Sequence, residues 1–359
     1  MSGVAGDWAD RALAAVMERV TTTESQVGER FPLYADPRDG VWKTTGRGSW
    51  TGGFWAGLLW LRARYSGSAA DRRAAASRTA ALAPWADADT VTRGLILWYP
   101  TALADGDSEA AALQERAARA VLAARHPELG VVPWGDAFGG PRLQARADGV
   151  PGTVPLLATV APAAAAGHLH QHLDLCLGAD GEPLPAWRFE GTGAGWQPCE
   201  EPGPGWSRGR AWLLLAVAEA LLLPEVAAHD RGRLTAAARH LLSLEGALSG
   251  PFVLPDDTTA PRGPLDTSAA AITAVALLKL ARVSEDWAHA CSYRGVVTLS
   301  TLAAGHLTYG KSGRPAGMLL DGCYDAGRGL AECHELVWGD FFLALGLASL
   351  NGLVDLTRV

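Results

Sequence analysis

The sequence predicts an all-α protein in which six helical hairpins form a ring, and three observations lead to that prediction. Apolar residues recur at a spacing of three to four in about twelve stretches of the 359-residue chain. Alternating β patterns are short and are confined to 131–134 and 184–189. Helices with mixed polar faces also alternate with helices dense in small and apolar residues, so we expect the second type to lie inside the ring.

Loops rich in Gly and Pro separate the helical stretches, at 34–48, 127–150, 179–205, 247–265 and 307–337. None of these loops has the composition of an interdomain linker, so residues 1–359 are expected to form a single domain. The predicted helices cover residues 6–24, 50–66, 69–85, 90–104, 107–126, 151–167, 168–178, 206–223, 229–246, 267–283, 285–305 and 338–353.

The six apolar helices share an unusual start, in which aromatic, Gly or polar residues precede the apolar run. In a ring, all six starts would surround one mouth, where unpaired amides and helix dipoles favour an anionic ligand. Ordinary helix capping is the alternative explanation for the polar residues. The six starts lie at 50–55, 92–94, 148–151, 206–212, 266–270 and 338–342.

Charge and composition exclude several classes of function. The formal net charge is −7 and there is no basic cluster, which argues against binding to nucleic acid. The apolar run at 211–223 is interrupted by Glu219 and is too short to cross a bilayer, so no membrane association is expected. The N-terminal segment lacks the pattern of a secretion signal. Five scattered cysteines, never in a CxxC pair, fit a reducing cytoplasm.

Five segments carry a resemblance to known enzymes: WTGGFWAGLLWL at 50–61, DGVPGTVPLLA at 148–158, GWSRGRAW at 205–212, DTSAAAITAVALLKLA at 266–281 and VWGDFFLALGL at 337–347. In their order over roughly residues 40–350, they resemble the unsaturated glucuronyl hydrolases of glycoside hydrolase family 88. The second and third are also similar to segments of the unsaturated rhamnogalacturonyl hydrolases of family 105. The resemblance implies an (α/α)6 barrel.

The resemblance also implies a reaction that begins with hydration of a double bond. The substrates of these families end in a uronic acid with a C4=C5 double bond; an Asp protonates C4, water adds at C5, and the hemiketal opens. Asp148 matches the catalytic Asp, and burial among aromatic rings is expected to raise its pKa. The alternative is that Asp148 only caps the helix that begins near Val150.

Several further residues are candidates for contact with an anionic sugar or oligosaccharide. Trp50, Phe54 and Trp212 could stack on pyranose rings, although core packing would explain them as well. Arg208 matches the Arg that the families place near substrate, where a guanidinium could hold an anionic group in a fork. Gln197 aligns more loosely with a Gln of the families.

The chain departs from the family pattern at the second acid. Thr92 stands where family 88 has its second Asp, and we expect Asp89, or Asp87, to substitute through a shifted loop. Arg210 replaces a Gln or Asn and is expected to make the mouth more positive and to contact substrate. The sequence contains neither a nucleotide-binding Gly-rich motif nor a Walker motif, so no cofactor is expected.

The histidines at 168 and 172 share a helix face, as a metal site would require. His168 and His172 lack a completing pattern of acids, so a helix end or a solvated helix face is expected instead of a metal centre.

Three functions remain open at the level of sequence. The first is hydration of the C=C bond of an unsaturated uronyl or related unsaturated sugar. The second is another reaction on an enol ether, alkene or sugar-like compound in specialised metabolism, since Pro185 and Arg188 replace the His and Asp of a family 105 segment. The third is a non-catalytic carbohydrate-binding barrel. Fold alone cannot separate them.

Overall fold

The computed structural model describes residues 6–178, 183–310 and 313–359, and helices dominate this part of the chain. The helices are α1 Gly6–Val27, α2 Gly52–Ser66, α3 Ala69–Ala80, α4 Arg93–Leu103, α5 Ser108–Ala123, α6 Thr153–Ala158, α7 Pro162–Cys176, α8 Ser207–Leu222, α9 Pro224–Ala227, α10 Arg231–Ser243, α11 Thr267–Leu280, α12 Glu285–Gly305 and α13 Val337–Leu350. The strands are β1 Phe31–Ala35, β2 Trp42–Thr45, β3 Gln144–Arg146, β4 Ala186–Phe189, β5 Trp196–Pro198 and β6 Glu335–Leu336.

Six helices form a closed inner ring in the order α2, α4, α6, α8, α11 and α13, and α13 contacts α2 again. An outer helix packs on each of them: α3 on α2, α5 on α4, α7 on α6, α10 on α8, α12 on α11, and α1 on α13. The fold is therefore an (α/α)6 barrel, as the sequence predicts.

The inner helices are apolar on every side because protein surrounds them. Every residue from Ser207 to Leu221 in α8 is buried, and so is nearly all of α11 and α13. Most of the buried apolar side chains form one cluster that extends from Ala9 to Val359. Among the described residues, every helix is too short or too polar to span a lipid bilayer.

Glycines allow two pairs of neighbouring inner helices, α2 with α4 and α4 with α6, to approach closely. A Cβ on Gly53 of α2 would lie 2.3 Å from the carbonyl oxygen of Leu95, and one on Gly94 of α4 would lie 2.2 Å from the backbone nitrogen of Thr153. Both distances are far below van der Waals contact, so these positions exclude any larger side chain.

The predicted helix at 151–167 is divided in the structure between an inner and an outer helix. The inner helix α6 ends at Ala158, and a new helix, α7, begins at Pro162. Proline is favoured in the first turn of a helix and cannot continue the preceding one, so Pro162 starts the outer helix six residues before the predicted position.

The predicted strand at 131–134 is wrong. The backbone N–H of Val132 donates to Nδ1 of His168 in α7, and the carbonyl of Trp134 accepts from the N–H of Val91. The backbone hydrogen bonds of this segment are therefore made with a helix side chain and a loop, and not with a neighbouring strand. Within 184–189, residues 186–189 do form β4, which pairs antiparallel with β3 and β5. A second sheet, with the order β2-β1-β6, was not predicted.

Candidate active site

One end of the barrel holds a cavity of about 730 Å³, which we call the mouth cavity. The starts of α2, α4, α6 and α8 line it, and the loops before α11 and α13 complete it. The ring therefore brings four of the six predicted helix starts to one site. Its lining residues are Ser49, Trp50, Thr92, Leu95, Trp134, Phe138, Arg146, Asp148, Glu200, Glu201, Pro202, Gly203, Trp206, Arg208, Trp212, Asp256, Asp257, Ala260, Gly263, Pro264, Tyr324, Asp325, Ala326, Gly327 and Arg328.

Aromatic rings form much of this lining. The indole N–H of Trp50 donates to the hydroxyl of Tyr324 at 2.9 Å, which fixes both rings at the wall. Trp134 lies under the guanidinium of Arg146, 4.5 Å from ring centre to Cζ. Trp212 also lines the cavity, although only 1% of it is exposed. Such fixed, half-buried rings present flat apolar faces beside polar groups, an arrangement that suits a sugar ring.

Asp148 lies in this wall and is held by a single guanidinium. Nε of Arg146 donates to Oδ1 of Asp148 at 3.0 Å, and Nη2 donates to Oδ2 at 3.2 Å. The side chain of Asp148 is 16% exposed. The sequence did not indicate this ion pair, which places an opposite charge in contact with the carboxyl group beside the expected aromatic rings.

Asp148 does not cap the helix that follows it. It lies in a 3-10 turn, Ala147–Gly149, and the residue that caps α6 is Gly152. The carboxylate of Asp148 accepts from Arg146 and not from the helix amides, so simple capping does not explain it.

The backbone around Asp148 is anchored on both sides. The N–H of Ala147 donates to the carbonyl of Pro185 at 2.8 Å. On the other side, Nε2 of His168 donates to the carbonyl of Gly149 at 3.3 Å, while its Nδ1 accepts from Val132 at 3.1 Å. This buried histidine therefore fixes the turn that carries Asp148.

The histidine pair is thus buried, and the predicted solvated face is wrong. Burial lowers the pKa of His168 well below its usual value and lowers that of His172 to about 4, so both rings are neutral at physiological pH. Nδ1 of His172 donates to the carbonyl of His168. Among the described residues, no group of three or more His, Cys, Asp or Glu side chains could hold a metal ion.

Asp89 is not part of the cavity wall. Its Oδ2 accepts from Nε of Arg142 at 2.8 Å, and this bond lowers the pKa of Asp89. Asp87 lies at the surface, 71% exposed, with Arg116 at 3.9 Å. Neither carboxylate is brought to the site by a shifted loop. Thr92 does line the cavity, where its hydroxyl bonds to that of Thr90.

Arg208 lies at the cavity, but protein oxygens occupy both of its terminal nitrogens. Nη1 donates to a carboxylate oxygen of Asp266 and to the carbonyl of Cys323, and Nη2 donates to the carbonyl of Tyr324. The guanidinium also lies over Trp206 and Trp338. The expected fork toward a substrate anion is therefore wrong, because the fork joins α8 to α11 and to the loop at 323–324.

Three of the predicted contact residues lie outside the cavity wall. Phe54 is fully buried and packs against Trp50 and Trp212, below the cavity. Gln197 lies exposed on β5, and its amide donates to the carbonyl of Ala194. Arg210 points to the outer side of α8, where Nη2 donates to the hydroxyl of Thr258.

The charge of the cavity also differs from the expectation. Its lining contains six carboxyl groups and three guanidinium groups. Each of those guanidinium groups is paired with a carboxylate: Arg146 with Asp148, Arg208 with Asp266, and Arg328 with Asp325. Protein groups also occupy two helix starts, since Asp266 caps α11 and Glu219 accepts from Gly152 at the start of α6. The predicted positive mouth is therefore wrong.

Asp256 is a lining residue that the sequence analysis missed. It is 7% exposed, and its Oδ1 has no hydrogen-bond partner among the described residues. Burial raises the pKa of Asp256 to about 6, although Arg208 opposes that shift. The signal available in the sequence was a pair of acids, Asp256 and Asp257, ten residues before the cap of α11.

Comparison with solved structures identifies the fold. The unsaturated glucuronyl hydrolase of Bacillus sp. GL1 superposes with a TM-score of 0.80 at 21% identity, covering 96% of this chain and 97% of that one. That of Streptococcus agalactiae gives 0.80 at 18% identity, covering 98% and 93%. One specific for heparin gives 0.81 at 19% identity, covering 98% and 99%. The chain has the fold of the unsaturated glucuronyl hydrolases. No family model and no curated protein matches the sequence.

Proposed function

We propose that the protein is a glycoside-hydrolase-type enzyme that hydrates the C=C bond of an unsaturated uronyl or related unsaturated sugar, with Asp148 as its general acid/base. The observation that carries the proposal is the position of Asp148, a carboxylate in the wall of an aromatic cavity, anchored by Arg146. A carboxyl group that exchanges protons with carbon and with water is what hydration of an enol ether requires.

The similar structures support a sugar as the substrate. A mutant of the Streptococcus agalactiae enzyme, with a TM-score of 0.71 and 16% identity to this chain, is complexed with dGlcA-GalNAc6S. In this chain, Trp50, Trp134 and Trp206 line a cavity of about 730 Å³, which is large enough for a short oligosaccharide. Aromatic platforms and a few polar groups would then hold the sugar rings.

A second candidate function is another reaction on an enol ether, alkene or sugar-like compound in specialised metabolism. The observation that favours it is the surplus of carboxyl groups in the mouth cavity, which repels the carboxylate of a uronic acid. Thr92 also offers the cavity a hydroxyl where the resemblance implies an acid.

A panel of unsaturated disaccharides tests the proposal. Hydration removes the ultraviolet absorbance of the conjugated enoate and releases the second sugar, and both can be followed with the purified protein. Each uronate should be paired with its methyl ester, which keeps the absorbing double bond and removes the charge. Turnover of either form supports hydration of an unsaturated sugar, and a preference for the ester would match the negative cavity. A flat trace across the whole panel would overturn the proposal, and the second candidate is favoured when no member of the panel binds either.

Binding without turnover would indicate the third possibility, a non-catalytic carbohydrate-binding barrel. In that case Asp148→Asn would bind the same disaccharides as the native protein and neither would consume them. The panel therefore separates all three functions.

A further inference from the structure

A second carboxyl group lies on the opposite side of α8 from Asp148. Asp148 precedes α6 and Asp256 precedes α11, and α6 and α11 are the two neighbours of α8 in the inner ring. Both residues line the mouth cavity. They therefore precede the two inner helices that neighbour α8, and Arg208 in the first turn of α8 lies 3.7 Å from Oδ1 of Asp256.

The two carboxyl groups have contrasting surroundings. Both oxygens of Asp148 accept from Arg146, so this carboxylate is paired with an opposite charge. Oδ1 of Asp256 is buried without a hydrogen-bond partner among the described residues, and it lies 3.7 Å from Nη1 of Arg208, beyond hydrogen-bond distance. An unpartnered buried carboxyl oxygen is costly as an anion and favours the protonated form.

The charges around Asp256 come from four elements. Arg208 on α8 stabilises its anion, but that guanidinium is already neutralised by Asp266 at the start of α11. Burial is the largest influence and raises the pKa of Asp256 to about 6. The other groups that face it or adjoin it are Asp257 on its own loop, Asp325 and the N–H of Ala326 in the turn at 325–328, and the thiol of Cys323.

The remaining carboxyl groups of the lining are poorer proton donors. Glu200 and Glu201 are exposed to solvent. Oδ1 of Asp257 accepts from both the N–H and the hydroxyl of Thr259. Asp325 accepts from the N–H of Arg328 and pairs with its guanidinium. Asp256 is therefore the lining carboxyl group that is both buried and left with an unpartnered oxygen among the described residues.

We propose that Asp256 is the proton donor of the reaction and that Asp148 acts as the base, an inference that rests on the proposed hydration and moves its acid step from Asp148 to Asp256. The O–H bond of Asp256 breaks as its proton forms a new bond to C4 with the π electrons of the double bond. The cation at C5 is stabilised by the ring oxygen. Asp148 takes a proton from water as the water oxygen bonds to C5. Solvent then returns a proton to Asp256 and removes one from Asp148. The hemiketal then opens as the bond between C5 and the ring oxygen breaks and C5 becomes a ketone. The hemiacetal left at C1 collapses to an aldehyde, which breaks the glycosidic C–O bond and releases the second sugar with a proton from solvent.

This division of roles gives the reaction a pH dependence that follows the protonation of Asp256. A proton donor must be protonated, so kcat/KM should fall about tenfold per unit as the pH rises above about 6. Asp256→Asn should lower kcat/KM by roughly 10²-fold or more and should abolish this alkaline decline. Asp256→Glu should retain the decline. Asp257→Asn, the matched change one residue along the same loop, should also retain it.

The experiment measures kcat/KM against pH for the four proteins with a disaccharide that the native enzyme consumes. In the native protein labelled with ¹³C-aspartate, NMR should also show an Asp carboxyl group that titrates near pH 6, a measurement that needs no folded variant. If the native enzyme consumes no substrate of the panel, the proposed function fails, and this role for Asp256 fails with it. If turnover occurs but Asp256→Asn keeps the alkaline decline, or no Asp titrates between pH 5 and 7, only the role of Asp256 is overturned.

Discussion

Replacing Asp148 by Asn should remove activity while leaving the fold intact. The amide keeps one oxygen that can accept from Arg146, but its NH₂ group faces guanidinium donors and cannot. One of the two charge-assisted bonds, at 3.0 and 3.2 Å, is therefore lost. Such a bond contributes about 1.5–3 kcal/mol, and partial exposure of the pair lets water replace some of it, so we expect a loss of about 1–2 kcal/mol in the free energy of unfolding.

The effect on rate should be much larger than the effect on stability. Loss of general acid–base assistance costs roughly 10²-fold to 10⁴-fold, so kcat should fall by at least 10²-fold. Chemical denaturation measures the free energy of unfolding, and the rate of release of the second sugar measures kcat. The reasoning would be refuted by a folded Asp148→Asn protein that turns over substrate within a few fold of the native rate.

Asp36 provides a matched control for this change. Arg38 lies two residues from Asp36, and its Nε and Nη2 donate to the two carboxylate oxygens at 3.0 and 2.8 Å, as Arg146 does to Asp148. The Asp36–Arg38 pair lies outside the cavity lining. Asp36→Asn should therefore leave kcat unchanged. An equal loss of activity in both variants would show that the assay reports the loss of an ion pair and not catalysis.

Further substitutions test the placement of other residues. Asp89→Asn should retain turnover in the disaccharide assay, because this carboxylate pairs with Arg142 outside the cavity; a loss of 10²-fold would return it to the mechanism. Arg208→Met should lower the free energy of unfolding by roughly 3–5 kcal/mol in urea titration, because Asp266 is left buried and unpaired. Wild-type stability in that variant would contradict the contacts described. Gly94→Ala should lower the free energy of unfolding by roughly 1–3 kcal/mol, which a lower melting temperature would show. The reason is that the added Cβ would lie 2.2 Å from the backbone nitrogen of Thr153.

Much of the barrel follows from periodicity in the sequence. The predicted helix at 206–223 is Ser207–Leu222 in the structure, and the one at 285–305 matches α12 at both ends. Long amphipathic or fully buried helices repeat the same signal over many residues. The short strands contain too few residues to repeat an alternating pattern, since β1 has five residues and β6 has two. These two strands also pair with each other across most of the chain.

The site could be predicted only where residues belong to helix starts. Trp50, Thr92, Asp148 and Arg208 lie at or just before such starts, and the closed ring brings all of them to one cavity. Asp256 comes from an aperiodic loop, whose path depends on tertiary contacts that no local pattern encodes.

The prediction for Arg208 failed for a related reason. Its sequence position is that of a residue facing the mouth, but the partners that occupy its fork come from distant segments. Asp266 is 58 residues away, and the carbonyls of Cys323 and Tyr324 are more than 100 residues away. Whether a buried guanidinium faces substrate or protein depends on such contacts.

The central claim is that the enzyme hydrates a double bond and does not attack the glycosidic bond directly. The most direct measurement compares an unsaturated disaccharide of the panel with its saturated counterpart, which differs only at C4 and C5, by quantifying the second sugar released from each. The account predicts release from the unsaturated compound alone, in equal amount to the double bond consumed, and loss of that release in Asp148→Asn. Cleavage of the saturated compound at a comparable rate would contradict it.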